Sequence, residues 1–302
     1  MSAHIESIAA AGGQRVTGPG ALSGGWRRML HLAWTLASLE FRLKFFGSVL
    51  GYVWQLGRPL MLFGVYYVVF TQFVELSADV KYYPPLLLMG IMLYQFWVEV
   101  TSGSVRAVVD RENLVRKIHF PRIVIPLTVT LTGLMNLAVN LAAVVLFMEL
   151  SGVPWRWSYL QFIPCLGLLI GFAFGLSMLL SALFVRYRDV QPIWDVVAMA
   201  SFYATPILYP LEAVKIPWAR DLIMYNPLAV VIQQLRHAMF DPSVPSAIDV
   251  LGGWTGLLIP LGVVAVSAGL GFWYFNHAAP DVAENLGRRT LGSSRPPRSS
   301  PR

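Results

Sequence analysis

The amino-acid sequence predicts an all-α, polytopic membrane protein. Apolar residues make up 56% of the 302 residues, against roughly 45–50% in a soluble domain. Charged residues account for 13%, about half of the usual ~25%. The apolar residues are gathered into separate stretches of about 20 residues, the length that an α-helix needs to cross a bilayer.

Six stretches have this length, at residues 51–74, 84–105, 123–147, 160–185, 192–209 and 251–275. The fifth is interrupted by Asp195 and Pro206. An even number of spans places both termini on the same side of the membrane. That side holds 18 of the 23 lysine and arginine residues, and the opposite side holds 5. Because cytoplasmic loops are enriched in basic residues, we expect both termini in the cytoplasm.

The spans divide the chain into four parts. Residues 1–25 and the basic tail at 277–302 have compositions typical of disordered segments. Residues 49–276 form the six-span domain, and residues 26–48 are predicted to form an amphipathic helix at the inner membrane surface. In that helix, apolar residues recur at helical spacing at Leu30, Trp34, Ala37, Phe41 and Phe45, flanked by Arg27, Arg28, Arg42 and Lys44. These cations are expected near lipid phosphates, although a simple topology anchor would show the same pattern.

Residues 206–249, on the predicted outer side, are too long for a plain hairpin and too apolar for a solvated loop. Asn226 and Pro227 predict a helix start, with Asn as the N-cap and Pro at the first helical position. An amphipathic helix is expected over residues 228–240, with Gln233, Arg236 and His237 on its polar side. A second short helix is expected over residues 217–225. Both are predicted to dip back into the bilayer, and an external hairpin is the alternative.

Residues 110–122 form a short charged segment between the second and third spans. Leu114, Val115 and Ile118 fall on one side of a helical projection, and Arg111, Arg116 and Lys117 surround the other. An amphipathic helix of this kind at a membrane surface suits docking of a soluble partner.

Motifs for catalysis or nucleotide binding are missing from the sequence. It contains no Gly-x-x-x-x-Gly-Lys-[Ser/Thr], no His-Glu-x-x-His and no Gly-x-Ser-x-Gly. Cys165 is its one cysteine. We therefore expect a protein without catalytic residues, resident metal or cofactor, whose energy source is on another chain.

Two acids, Glu99 and Asp195, lie within predicted spans. An ionisable group there faces the protein interior or a polar path, so a lining role and a buried hydrogen-bonding role both remain open. Asn136 and Asn140, one helical turn apart, are expected to link helices by hydrogen bonds.

Aromatic residues are dense in the first, second and fifth spans. They are expected either to pack in the core or to line a path in which ring faces stack on sugars. Together with Glu99, the candidates for that path are Phe63, Tyr66, Tyr67, Phe70, Tyr94, Trp97 and Tyr203.

Five short motifs occur in an order that resembles the membrane subunits of type-2 ABC exporters for cell-surface polysaccharides, which include O-antigen and teichoic-acid permeases. They are GSVLGYVW at 47–54 followed by RP at 58–59, LVRKIHFPR at 114–122, RYRD at 186–189, TPILYP at 205–210 and NPL at 226–228. The resemblance covers residues 36–275.

This resemblance implies a homodimer in the bacterial cytoplasmic membrane that exports a lipid-linked glycan. It implies two copies of a separate ATPase that binds Mg-ATP and docks at Asp110, Arg111, Glu112, Leu114, Arg116, Lys117 and Phe120. The interfacial helix would lie where the lipid-linked glycan enters, with the diphosphate held by Arg27, Arg28, Arg42, Lys44 and Arg58. The short outer helices would help to cap the exit. Many members have a basic–Tyr pair before Gly-Ser, whereas this chain has Phe45 and Phe46, so Arg42 and Lys44 are expected to replace it.

Two alternatives remain. A type-2 permease for a drug or small lipid would share the fold and the ATPase. A membrane enzyme acting on polyprenyl lipids would turn over substrate without any ATPase.

Overall fold

The computed structural model describes residues 25–45, 49–73, 80–111 and 123–293, and every regular element within them is helical. This confirms the predicted all-α class for that part of the chain. The α-helices are α1 (Trp26–Phe45), α2 (Val49–Val68), α3 (Tyr83–Asp110), α4 (Val124–Leu150), α5 (Phe162–Arg186), α6 (Val190–Ala204), α7 (Pro217–Met224), α8 (Pro227–Leu235), α9 (Ala247–Val250) and α10 (Leu258–Ser293). Short π-helical turns continue α2 and α8 at Val69–Phe73 and Arg236–Phe240, and 3₁₀ turns occupy Trp157–Gln161 and Leu211–Ala213.

Four helices in the described part are long and apolar enough to cross a membrane. They are Tyr83–Asp110, Val124–Leu150, Trp157–Arg186 and Leu258–Phe275, and they match the second, third, fourth and sixth predicted spans. The first predicted span forms α2, which carries the polar residues Gln55 and Arg58. The fifth forms α6, whose 15 residues are fewer than the ~20 that a bilayer requires. The count of six spans therefore stays a prediction.

The centre of the bundle is α3, which packs against α4 and α5 and is buried along most of its length. The most extensive helix pair is α5 with α10. A Cβ atom at Gly175 would lie 2.7 Å from the backbone nitrogen of Ala268, so the two helix backbones touch there. Small residues permit this approach in membrane helices, where packing rather than hydrophobic exclusion holds helices together.

Helix α1 packs along α4. Ala33 and Ala37, one turn apart, are completely buried, whereas Trp34 of the predicted apolar stripe is 55% exposed. The apolar residues of α1 therefore divide between a side packed on the protein and an exposed side. The predicted location of α1 at the membrane surface stays a prediction.

The segment 206–249 contains the predicted helix start. Leu228 N donates to Asn226 Oδ1 at 3.0 Å, and Pro227 is the first residue of α8, which confirms the N-cap. Apolar side chains of α8 belong to the main core, including Leu228, Val231 and Leu235, and the helix packs against α5.

The expected polar side of this helix is enclosed by the protein. Gln233 Nε2 donates to Pro245 O at 2.8 Å, and Arg236 Nη1 donates to Glu212 Oε2 at 2.7 Å. His237 Nδ1 lies 2.7 Å from Val244 O. These partners come from the chain before α8, at Glu212, and from the chain after it, at Val244 and Pro245, so the polar residues of α8 and its π-helical continuation hold the 206–249 segment together.

The last long helix begins later than predicted, while its membrane-length part ends at Phe275 as predicted. α10 begins at Leu258 rather than at residue 251, because Gly252 and Gly253 take positive φ angles of 75° and 110° that interrupt the helix. The helix continues through Ser293, into the tail that the composition predicts to be disordered.

Candidate functional site

A groove of about 1050 Å³ lies between α1, α2, α3 and α6. Its lining contains four charged residues, Lys44, Arg58, Glu99 and Asp195. Each of the four helices contributes one of these charged residues, so the charges come together only where the four helices meet. The aromatic part of the lining consists of Trp54, Tyr66, Tyr94, Phe202 and Tyr203.

Glu99 joins three helices through its carboxylate. Lys44 Nζ of α1 donates to Glu99 Oε1 at 3.2 Å, and Asn136 Nδ2 of α4 donates to the same oxygen at 2.6 Å. Asn136 is completely buried, while the Glu99 and Lys44 side chains are 38% and 42% exposed. The contact from Asn136 confirms its expected role between helices. Glu99 is hydrogen-bonded between helices and also lines the groove, and its role in a polar path stays a prediction.

A second ion pair links α1 to α3. Arg111 Nη2, just after α3, donates to Glu40 Oε1, one turn before Lys44 on α1. The acid is on α1 in this pair and on α3 in the Lys44–Glu99 pair. Two pairs of opposite polarity favour a single register of α1 on α3, because sliding would bring like charges together.

Aromatic side chains form the wall between α2, α3 and α6. The Phe202 ring centroid lies 5.4 Å from that of Tyr66 and 4.8 Å from that of Tyr94. Tyr94 Oη also donates to Ala198 O at 2.6 Å, which fixes the ring against α6. This wall offers ring faces and edges in defined positions.

Four of the residues predicted for a glycan path line this groove, namely Tyr66, Tyr94, Glu99 and Tyr203. The other four do not belong to its lining. Phe63 is buried against Phe147, Tyr67 stacks with Tyr83, and Phe70 packs on Tyr66 and the core. Trp97 is buried between Phe172 and Trp194, beside a separate apolar groove of about 720 Å³ bounded by α3, α5, α6 and α10.

Helical geometry explains part of this division. Tyr66 lies at one edge of the stripe formed by Phe63, Tyr67 and Phe70, because it is one residue from Tyr67 and so turned by about 100° around the helix. Trp97 is two positions from both Gln95 and Glu99, which places it on the opposite side of α3. The sequence-based set therefore combined residues from different helix faces.

Gln95 and Ser102 also line the groove, and the sequence interpretation missed them. Both lie on the Glu99 face of α3, since residues 95, 99 and 102 follow the i, i+4, i+7 pattern. That polar periodicity within an apolar span was the signal that could have identified them.

The cations predicted to meet a lipid diphosphate do not lie together. Lys44 and Arg58 line the groove, and Arg42 is exposed near the same end of α1. Arg27 and Arg28 are at the other end, roughly 25 Å away along the helix at 1.5 Å per residue. Arg42 is two positions from Lys44, which places it on the opposite side of α1, so only Lys44 and Arg58 face the groove together.

The predicted docking segment is described only at its start. Asp110 ends α3 and is exposed, and Arg111 is partly buried by its pair with Glu40. Glu112, Leu114, Arg116, Lys117 and Phe120 lie outside the described residues. Within the part of the chain that is described, no group of three or more His, Cys, Asp or Glu residues could hold a metal ion.

Comparison with known families agrees with this architecture. The ABC-2 type transporter family matches residues 31–240, which include most of α1 and the other three helices that border the polar groove. The chain belongs to the ABC-2 type transporter family. With its membrane-length apolar helices, this ABC-2 family member is a multi-pass membrane protein.

Three relatives are O-antigen export system permease proteins named RfbA. The Myxococcus xanthus protein is 27% identical over 214 residues, covering 70% of this chain and 82% of its own. Two proteins from Klebsiella pneumoniae are 25% and 26% identical, covering 76% and 70% of this chain and 88% and 82% of their own. This ABC-2 transporter is therefore similar to O-antigen permeases over most of its length.

Proposed function

We propose that the chain is the permease subunit of an ATP-driven exporter that moves a polyprenyl-diphosphate-linked polysaccharide across the bacterial cytoplasmic membrane. The names of its relatives support O-antigen-like cargo. In this proposal two copies of the chain assemble with two copies of a separate ATPase that binds Mg-ATP. The ATPase docks at residues 110–120, and both termini are cytoplasmic.

One observation carries the proposal: two cations and a row of aromatic rings share one groove. Lys44 and Arg58 supply charge-assisted donors for a diphosphate, and arginine can bind phosphate through two nitrogens. Tyr66, Tyr94 and Tyr203 supply ring faces on which sugars stack. Stacking tolerates a change of register, so a polymer can slide past while the rings stay in place.

The remaining elements have roles that fit this path. In the proposal α2 and α6 complete a six-span bundle, and their exposed apolar faces are covered by lipid or by the second subunit. The helices α7 and α8 re-enter the membrane from the outer side and help to cap the exit. The proposed lipid-diphosphate contacts within the groove are Lys44 and Arg58, because Arg27 and Arg28 are at the far end of α1 and Arg42 is on the opposite side of α1 from Lys44.

Depletion of the protein in its native cell tests the proposal. We expect finished polyprenyl-linked glycan to accumulate on the cytoplasmic leaflet, and the wild-type gene to restore export. A chain with Arg42→Ala and Lys44→Ala should fail to restore it, although it assembles normally. A chain with Arg27→Ala and Arg28→Ala is the matched control, since it loses two cations from the same helix far from the groove.

The outcome also separates the alternatives. If no lipid-linked sugar accumulates, the polysaccharide assignment is wrong, and a drug or small lipid becomes the cargo to test. If the purified chain alone converts a polyprenyl lipid, it is an enzyme rather than a permease subunit.

A further inference from the structure

Glu99 holds the cation that the proposed cargo requires. The inference that follows rests on the proposed function and concerns what happens to Lys44 when an anionic headgroup arrives. We propose that Glu99 is an internal counter-ion, which pairs with the Lys44 ammonium until a lipid diphosphate takes its place. This competition for Lys44 sets how tightly the groove binds the headgroup.

The exposure of the pair makes such an exchange feasible. The Lys44 and Glu99 side chains are 42% and 38% exposed, and both line the groove. Ion pairs with this degree of exposure contribute little to stability, because solvent competes with each partner. A diphosphate carries more negative charge than a carboxylate and presents more acceptor oxygens, so it can displace Glu99 from Lys44.

Glu99 also keeps a partner after Lys44 is released. Asn136 Nδ2 donates to the same carboxylate oxygen at 2.6 Å, and Asn136 itself is completely buried and so fixed in place. An unpartnered carboxylate within a membrane helix would be costly. The hydrogen bond from Asn136 lowers that cost and leaves Glu99 beside the departing ammonium, ready to take it back.

The exchange leaves α1 attached to the bundle. Glu40 remains paired with Arg111, and Ala33 and Ala37 remain packed in the α1–α4 contact region. Lys44 can therefore change partners through side-chain motion alone. The separate Glu40–Arg111 pair holds the helix while the Lys44–Glu99 pair opens and closes.

Competition between Glu99 and the headgroup for Lys44 suits transport rather than tight binding. A transported group must bind strongly enough to enter and weakly enough to leave. Lys44 and Arg58 attract the headgroup, and Glu99 offers Lys44 an alternative partner that promotes release. Removal of the carboxylate should therefore strengthen binding and slow export.

Binding to the full-length protein in phosphatidylcholine nanodiscs tests this exchange. The probe is farnesyl diphosphate, with farnesol as the uncharged control. Glu99→Gln retains an acceptor for Asn136 but removes the charge, and it should tighten farnesyl diphosphate binding by about fivefold, in line with a half-exposed ion pair. Lys44→Gln should weaken binding by about tenfold, since it removes a charge-assisted donor.

The double variant is decisive. With Lys44→Gln present, Glu99→Gln should have no further effect, because no ammonium remains to be released. Asp221→Asn is the matched control, since this exposed carboxylate is on α7, outside the lining of the groove. Its binding should stay within about twofold of wild type, as expected for a group outside the coupled pair. In cells, Glu99→Gln should reduce export although it tightens binding. A variant that did not fold would lose binding as well as export.

The outcomes separate the two proposals. If the wild-type protein binds farnesyl diphosphate no better than farnesol, both proposals are wrong. If it binds the diphosphate and Glu99→Gln leaves the affinity unchanged or weaker, the exchange alone is overturned. If Glu99→Gln does not fold, Glu99→Asp replaces it, because the shorter side chain cannot reach Lys44 and Asn136 together and should also tighten binding.

Discussion

The groove and the 206–249 segment both concentrate polar side chains, but they satisfy them in different ways. In the 206–249 segment several pairs join residues that are close in sequence, and one member of each pair is buried. The Arg236 side chain is 9% exposed and binds Glu212, whose side chain is 44% exposed, and the buried Ser246 and the exposed Asp249 cap each other at the start of α9. In the groove the partners come from distant helices, and the Lys44 and Glu99 side chains remain about 40% exposed.

This difference separates polar groups that maintain the fold from polar groups that can meet a ligand. An ion pair with one buried member maintains the fold, because removal of the exposed partner leaves the buried charge uncompensated. A half-exposed pair costs little to open. Substitutions in the 206–249 segment should therefore affect stability, and substitutions in the groove should affect export.

Loss of Glu212 is expected to give the largest effect on stability. Glu212→Ala leaves the buried Arg236 guanidinium without its carboxylate, so the free energy of unfolding should fall by about 2 kcal/mol, less than for a fully buried pair because the Glu212 side chain is 44% exposed and water can partly replace it. Thermal unfolding of the detergent-purified protein measures this loss. Asp221→Ala removes an exposed acid from the same segment and should have almost no effect. Equal unfolding temperatures for the two variants would show that the Arg236–Glu212 pair does not maintain the fold.

Removal of Arg58 should have a smaller effect that appears only in transport. Arg58→Gln removes a cation from the groove, so export of lipid-linked glycan should fall by about tenfold, as expected for loss of a charge-assisted contact. The unfolding temperature should not change, because the side chain is exposed. Lys215→Gln, an exposed cation of the 206–249 segment, is the matched control and should export normally. A loss of stability with Arg58→Gln would assign Arg58 a structural role instead.

Properties set by local sequence could be predicted well. Apolar stretches of sufficient length correctly indicated four membrane-length helices, and the Asn226–Pro227 pair correctly marked the start of α8. The N-cap depends only on neighbouring residues, which explains this success. The start of α10 depends on the positive φ angles of Gly252 and Gly253, which the apolar composition of the stretch does not reveal.

The groove could be predicted only in part, because its contacts join residues far apart in sequence. Lys44 and Glu99 are 55 positions apart, and no local pattern indicates that they pair. The aromatic candidates were chosen by proximity along the chain, which placed Trp97 with Tyr94 although they face different grooves. The face of α3 that carries Gln95, Glu99 and Ser102 would have been a better guide, since helical periodicity determines which residues share a surface.

The smallest predicted effect concerns Asp241 and its dependence on pH. Burial alone would raise the pKa of Asp241, but hydrogen bonds from Ser243 Oγ and N, at 2.6 and 3.1 Å, together with the nearby Lys81 ammonium, at 3.5 Å, lower it below its usual value. Asp241→Asn should reduce the free energy of unfolding by less than about 1 kcal/mol, because the Lys81 side chain is 65% exposed and the pair is screened.

The sign of the pH effect follows from the lowered pKa. A group whose pKa is lower in the folded state stabilises the protein at any pH above its unfolded value, which is about 3.9 for Asp. The difference in stability between wild type and Asp241→Asn should therefore be constant from about pH 8 down to about pH 4 and should disappear as the pH falls through the folded pKa. Thermal unfolding across this range measures it, and added salt should reduce it at neutral pH. A difference that instead grew below pH 4 would show that the Asp241 carboxylate is destabilising. The 206–249 segment would then contain a charge that its partners do not compensate, and its polar groups would not all serve to maintain the fold.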